Sequence, residues 1–143
     1  MLKKRLVACF LVRNGLLVQS IGFNRYLPVG RPRFPIEFVA RWDVDEIVLL
    51  DMSATLENRT LDTGLLELLS RYCFVPLTVG GGVRTVDDVR RITGAGADKV
   101  AVNAHAVARP QLVSEIADVF GSQCVVVSID CRLEEDGDYQ VYT

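Results

Sequence analysis

The sequence predicts an α/β fold built from parallel strand–helix units. Apolar runs centred near residues 48, 77, 100 and 127 recur at about the length of one βα unit, roughly 30 residues or less. The runs are apolar on both faces and are separated by helical patterns, which is typical of a parallel sheet covered by helices. Polar residues end these strands, which favours a (β/α)8 barrel over an open doubly wound sheet, because barrel sites are assembled at that rim. They are Asp51, Thr78 with Gly80 to Gly82, Asn103 and Asp130.

The length limits how much of a barrel we expect. A complete barrel usually takes roughly 200 residues or more, whereas this chain has 143. We recognise four strand–helix units and a fifth strand. We therefore expect one domain over residues 1–143, the N-terminal half of a barrel, with the chain ending in or after strand five.

The first segment begins with a continuous apolar run, Leu6 to Val12, whose length and content predict a buried strand. Asn14-Gly15 predicts a turn, and Leu16 to Val18 a short return strand. The stretch from Gln19 to Pro35 is rich in glycine, proline and arginine, so we expect a long loop there.

The second segment carries the clearest strand of the chain. Pro35 to Trp42 predicts a short helix entered through proline. Glu46 to Met52 then predicts a buried strand with a carboxylate at each end, of which Asp51 is interpreted as structural. Leucines at helical spacing predict a helix over Leu61 to Tyr72.

The remaining elements continue the alternation of strands and helices. The sequence predicts strands over 74–79, 98–103 and 124–130, helices over 86–92 and 110–120, and a last strand over 139–142 after an Asp136-Gly137 turn.

A glycine-rich junction joins the strand near residue 77 to the helix that follows it. Gly80 to Gly82 end the strand, and Thr85 with Asp88 has the spacing of a capping box. Such a junction can bind a phosphate, because glycine lets the backbone approach closely and a helix N-terminus favours an anion. A tight βα turn with no ligand explains the same glycines equally well.

Composition excludes several classes of function. With 16 basic and 18 acidic residues the net charge is −2, so we expect no nucleic-acid partner. The four cysteines form no CxxC pair and there is one histidine, so we interpret Cys9, Cys73 and Cys124 as small core residues and expect no metal, no disulfide and no cofactor. No signal peptide or membrane span is recognisable, which suggests a cytoplasmic protein.

Several blocks of the chain resemble the N-terminal half of HisF, the cyclase subunit of imidazole glycerol phosphate synthase. The most specific are Thr78 to Val83 and Phe120 to Asp130, and the others are Arg5 to Cys9, Val48 to Asp51, Gly96 to Val100, and Asn103. The resemblance implies a (β/α)8 barrel of two similar halves, each with one phosphate site. It also implies a lyase of histidine biosynthesis that receives ammonia from a HisH-like glutaminase.

The resemblance also implies roles for individual residues. Gly81, Gly82 and Asn103 would bind one phosphate of the substrate, and Asp130 would be one of two catalytic aspartates. Asp98 would face the glutaminase, and Arg5, Glu46 and Lys99 match three members of a ring of charged residues that would admit ammonia. Salt bridges that stabilise the barrel floor are the alternative for that ring, since each of its members begins a predicted strand.

Three positions depart from the family pattern. Leu11 replaces the other catalytic aspartate, Gln19 replaces a lysine of the first catalytic loop, and Ala104 replaces a hydroxyl residue beside Asn103. Losing a general acid or base costs about 10²–10⁴-fold in rate, so catalysis by this chain alone is doubtful.

Three hypotheses follow from these departures. The chain is a cyclase subunit with an altered first strand, a paralogue that supplies ammonia for an amidino sugar of lipopolysaccharide, or a non-catalytic half-barrel that acts as a scaffold or self-associates. The substrate would be a phosphorylated small molecule under the first hypothesis. His105 is interpreted as a surface residue.

Overall fold

A computed structural model describes residues 4–22 and 24–142, so residues 1–3, Phe23 and Thr143 lie outside it. A seven-stranded sheet has the order β3-β2-β1-β4-β5-β6-β7, and β8 pairs with β9 in a separate hairpin. The strands are β1 (Val7–Arg13), β2 (Leu16–Ile21), β3 (Arg25–Gly30), β4 (Glu46–Asp51), β5 (Leu77–Gly80), β6 (Lys99–Val102), β7 (Val125–Val127), β8 (Asp130–Leu133) and β9 (Tyr139–Tyr142). Strands β1, β4, β5, β6 and β7 run parallel.

Five α-helices connect these strands: α1 (Arg33–Ala40), α2 (Thr63–Ser70), α3 (Val86–Gly94), α4 (Ala104–Ala108) and α5 (Gln111–Phe120). A short 3-10 turn, Ser122–Cys124, precedes β7. Helix residues such as Leu66, Ile92 and Ile116 share one buried cluster with the strand residues Ile47 and Val79. Helices therefore cover one face of the sheet. None of the helices in the described part of the chain is long and apolar enough to span a membrane.

The predicted fold class is confirmed. Parallel strands alternate with helices in the manner of part of a (β/α)8 barrel, and the sheet does not close on itself within residues 4–22 and 24–142. Strand residues alternate between the two faces, as the pleat requires. Ile47 and Leu49 are buried under the helices, whereas Val48 and Leu50 lie on the other face and are partly exposed.

The predicted long loop from Gln19 to Pro35 is wrong in its first part. Residues in this stretch extend β2 and form β3, and the two strands pair antiparallel, with Gln19 opposite Leu27. The proline and glycine content pointed to a loop, but Pro28 lies on an edge strand, where a missing N–H is tolerated. Helix α1 also starts before Pro35, which occupies its first turn.

The predicted strand over 124–130 is shorter than expected. Only Val125–Val127 pairs with β6, and Asp130 begins the separate strand β8. The apolar run continues past the point where the backbone leaves the sheet, so composition alone overestimates the strand. Cys9 is exposed rather than buried, because it lies on the face of β1 that no helix covers.

Candidate functional site

A cluster of charged side chains lies at the N-terminal edge of the parallel sheet. Glu46 opens β4 and is only 6% exposed. Arg5 donates to its Oε2 at 2.6 Å, and the Lys99 Nζ lies 2.9 Å from Oε1 and 2.8 Å from Oε2. The Thr78 hydroxyl donates to Oε1 at 2.6 Å. Three predicted residues, together with Thr78, therefore meet in one hydrogen-bonded network.

The electrostatics of this cluster favour the ionised carboxylate. Burial is the largest single influence on the pKa of Glu46 and raises it. Hydrogen bonds from Lys99 and Thr78, the charge of Lys99 and the hydrogen bond from Arg5 together outweigh burial, so the pKa of Glu46 lies below its ordinary value. Glu46 is consequently a fixed negative charge at neutral pH, held between two cations.

Asp98 lies beside this cluster, at the start of β6. Its carboxylate accepts a hydrogen bond from the backbone N–H of Leu77 at 2.8 Å, which fixes the start of β5 against β6. The residue is exposed at the same edge of the sheet. Two apolar side chains close to the starts of strands are also exposed: Leu6 immediately precedes β1, and Phe74 lies three residues before β5.

The opposite, C-terminal edge carries the other predicted residues. Asn103 follows β6, and its side-chain NH2 donates to the Asp130 carboxylate at 2.7 Å. Its other polar atom, Oδ1, is buried and has no hydrogen-bond partner among the described residues. A buried acceptor without a partner is costly in a folded protein. Asn103 and Asp130 thus form an incompletely satisfied polar pair at this edge.

The glycine turn that follows β5 lies at the same C-terminal edge. Gly81 and Gly82 have φ angles of +121° and +66°, which side chains other than glycine rarely adopt. A Cβ on Gly82 would lie 1.8 Å from the Arg59 carbonyl oxygen, so only glycine fits against that loop. The capping box of Thr85 and Asp88 is present at the start of α3, as the sequence predicts.

Leu11 occupies an apolar layer between the two edges. Strand register places it beside Leu50, and the same row continues through Gly80, Ala101 and Val126. Leu11 is half-buried on the face of the sheet that the helices do not cover. No group able to transfer a proton lies in this row of the described structure, since every member is apolar.

The other two positions that depart from the family pattern, Ala104 and Gln19, lie at the C-terminal edge and in β2, respectively. Ala104 begins the short helix α4 and has no hydroxyl to offer, and His105 on the same helix is partly exposed. Gln19 is exposed in β2, opposite Leu27. Among the described residues no three His, Cys, Asp or Glu side chains gather as metal ligands would.

The sequence missed two residues that connect this site. The sequence predicts Thr78 as a polar strand end, whereas it lies inside β5 and completes the Glu46 network. Arg59 was not singled out, yet its Nη1 lies 2.7 Å from the buried Asp51 carboxylate. A signal existed for Thr78, because it is a polar residue within an apolar strand. No local pattern points to Arg59.

Comparisons with known proteins agree with the resemblance. A family model described as histidine biosynthesis protein matches residues 5–143. A Vibrio vulnificus protein provisionally named imidazole glycerol phosphate synthase subunit hisF2 is 43% identical over 142 residues, which are 99% of this chain and 52% of that protein. Imidazole glycerol phosphate synthase subunit HisF of Streptococcus sanguinis is 44% identical over 99% of this chain and 56% of that protein. HisF of Gluconacetobacter diazotrophicus is 47% identical over 100% of this chain and 55% of that protein. The chain spans about half the length of the curated relatives it matches.

Proposed function

The chain belongs to the histidine biosynthesis protein family and to its HisF group, and on this premise we propose that it accepts ammonia as the barrel subunit of a glutamine amidotransferase. In this proposal it is nominally of the imidazole glycerol phosphate synthase cyclase type, a lyase of histidine biosynthesis. It works in the cytoplasm with a HisH-like glutaminase, which releases the ammonia from glutamine.

The observation that carries the proposal is the charge cluster at the N-terminal edge. Arg5 and Lys99 both contact Glu46, at 2.6–2.9 Å, so three charged side chains meet at this end of the sheet. A cluster of this kind can exclude water and ions while admitting a small neutral molecule. The exposed Asp98 on the same edge supports a docking surface for the glutaminase there.

The C-terminal edge supports a phosphate subsite at Gly81, Gly82 and Asn103. The glycine turn leads directly into α3, whose N-terminus favours an anion. Asn103 lies within hydrogen-bond distance of Asp130, so a ligand at the subsite would lie close to that carboxylate. Asp130 is exposed and free to act as a general acid or base in this proposal.

Leu11 favours a second candidate function, that of a paralogue supplying ammonia for an amidino sugar of lipopolysaccharide. A leucine cannot transfer a proton, and its row on the sheet is apolar throughout. Arg5, Glu46 and Lys99 are in contact, while Leu11 stands where the resemblance implies one of two catalytic carboxylates. Ammonia handling without cyclisation accounts for both observations.

Calorimetric titration with a purified HisH-type glutaminase tests the proposal. We expect a one-to-one complex, and we expect Asp98→Lys to weaken it about tenfold or more by reversing a charge at the interface. Asp87→Lys is the matched control, because Asp87 is exposed in the first turn of α3, which begins at the opposite, C-terminal edge of the sheet. The absence of a complex with unmodified protein would refute the amidotransferase proposal, and equal affinity for both variants would remove Asp98 from the interface.

A further inference from the structure

The loop between β4 and α2 rests directly on the glycine turn. A Cβ on Gly82 would lie 1.8 Å from the Arg59 carbonyl oxygen and 3.2 Å from the Ala54 carbonyl carbon. A Cβ on Gly81 would lie 2.5 Å from the Asp51 carbonyl oxygen. The backbone of the turn therefore has little freedom to move independently of this loop, which spans residues 52–62.

One ion pair connects the end of β4 to the far part of this loop. The Arg59 Nη1 lies 2.7 Å from Oδ2 of Asp51, and the Asp51 side chain is only 3% exposed. The second carboxylate oxygen of Asp51 accepts the Ser53 N–H at 2.9 Å. The Arg59 Nη1 also donates to the Thr60 carbonyl at 3.0 Å, and its Nε donates to Glu57 at 2.6 Å. The guanidinium is thus committed to two carboxylates and to the backbone of its own loop.

We propose that Arg59 is a positioning residue for the phosphate subsite, which it shapes by pinning the loop against Gly81 and Gly82 through Asp51. This inference rests on the proposed function, since it assumes that the glycine turn binds phosphate. We assign Arg59 a positioning role rather than a direct contact with phosphate, because its Nε and both donors of Nη1 are engaged by Glu57, Asp51 and the Thr60 carbonyl. The hydrogen bond to Asp51 raises the pKa of Arg59 despite partial burial, so the guanidinium stays charged.

A titration with inorganic phosphate tests this role in the full chain. The amide resonances of Gly81 and Gly82, followed by NMR, report occupancy at the turn itself. We expect Arg59→Met to weaken phosphate binding about tenfold or more, and Arg59→Lys to recover most of the affinity. Arg41→Met is the matched control, because Arg41 pairs with a single carboxylate, that of Glu37, in an exposed ion pair at the end of α1. We expect it to leave the affinity within about twofold of the unmodified protein.

Asp51→Asn distinguishes positioning from direct contact. If Arg59 bound phosphate directly, releasing it from Asp51 would preserve or strengthen binding. A positioning role predicts the opposite, a loss of similar size to that of Arg59→Met. The double variant Asp51→Asn with Arg59→Met removes the unpaired buried carboxylate, so it provides the same test if Arg59→Met alone does not fold.

The outcomes separate the two proposals. If the unmodified protein shows no phosphate-dependent shift at Gly81 or Gly82, the phosphate subsite is wrong and the role of Arg59 falls with it. If the unmodified protein binds and the double variant binds within about twofold of it, the subsite stands and the positioning role is wrong. Stronger binding by Asp51→Asn would likewise overturn the positioning role in favour of direct contact.

Discussion

The two edges of the parallel sheet differ in how completely their polar groups are satisfied. At the N-terminal edge, both oxygens of Glu46 are held by Arg5, Lys99 and Thr78. At the C-terminal edge, Asp130 is exposed and Asn103 keeps a buried acceptor without a partner among the described residues. The first edge is a closed structure that needs no ligand. The second has unused hydrogen-bonding capacity, which is what a ligand subsite requires.

Because of this difference, substitutions at the two edges should affect stability in different ways. A closed network is a single unit, because removing one partner leaves a buried charge less well compensated. The C-terminal edge depends instead on backbone shape, since its glycines are held by contact with the loop that carries Arg59. Substitutions at the N-terminal edge should therefore destabilise the protein by breaking ion pairs, and those at the C-terminal edge by distorting the backbone. The change in the free energy of unfolding tests this distinction.

The largest effect on stability is expected at the glycine turn. Gly82→Ala introduces a Cβ against a backbone carbonyl at a positive φ, and we expect it to lower the free energy of unfolding by about 3 kcal/mol or more. Gly15→Ala is the matched control, because Gly15 also has a positive φ, of +76°, but nothing lies within 4 Å of its Cβ position. It should cost only about 1–2 kcal/mol. Equal losses in urea denaturation would show that the loop does not confine the turn.

A smaller loss is expected when the charge cluster is opened. Lys99→Met removes two short contacts to Glu46 and should lower the free energy of unfolding by about 1.5–3 kcal/mol, the usual range for hydrogen bonds to a charged group. Arg90→Met removes an exposed i,i+3 pair with Asp87 instead, and should cost about 0.5 kcal/mol or less. A loss below about 1 kcal/mol for Lys99→Met would mean that the cluster is not a single unit.

The smallest effect is a change in pH dependence. The folded-state pKa of Glu46 lies below its ordinary value of 4.5, so its ionisation contributes stability that is complete above that value. This contribution is lost as the pH falls below about 4.5 and through the folded-state pKa. Urea denaturation across that range should show a shallower loss for Glu46→Gln than for the unmodified protein. Identical profiles would show that Glu46 has no lowered pKa.

Local sequence patterns were sufficient for the framework and for one of the two edges. Apolar runs marked β4, β5 and β6, and charges at the strand starts placed Arg5, Glu46 and Lys99 at one end of the sheet. Those side chains meet because parallel strands align their ends, although Glu46 and Lys99 are 53 positions apart. Strand order and direction therefore determined this part of the site.

Two features could not be predicted from local patterns. The pairing of Arg59 with Asp51 depends on the path of an irregular loop, which no periodicity describes. The sequence predicts a loop where β2 and β3 form a hairpin, because proline and glycine are compatible with an edge strand as well as with a loop. In both cases the structure is decided by contacts that lie outside the segment itself.

Ammonia-dependent turnover of the formimino carboxamide ribonucleotide by the intact gene product tests the central claim most directly. The second candidate function, ammonia supply without cyclisation, rests on the contacts among Arg5, Glu46 and Lys99 and on Leu11 at the position where the resemblance implies a catalytic aspartate. It predicts no measurable turnover by the unmodified protein, which should nevertheless bind a HisH-type glutaminase. Turnover at a rate ordinary for enzymes, about 1 s⁻¹ or above, would contradict the account and show that the cyclisation does not need a carboxylate at position 11.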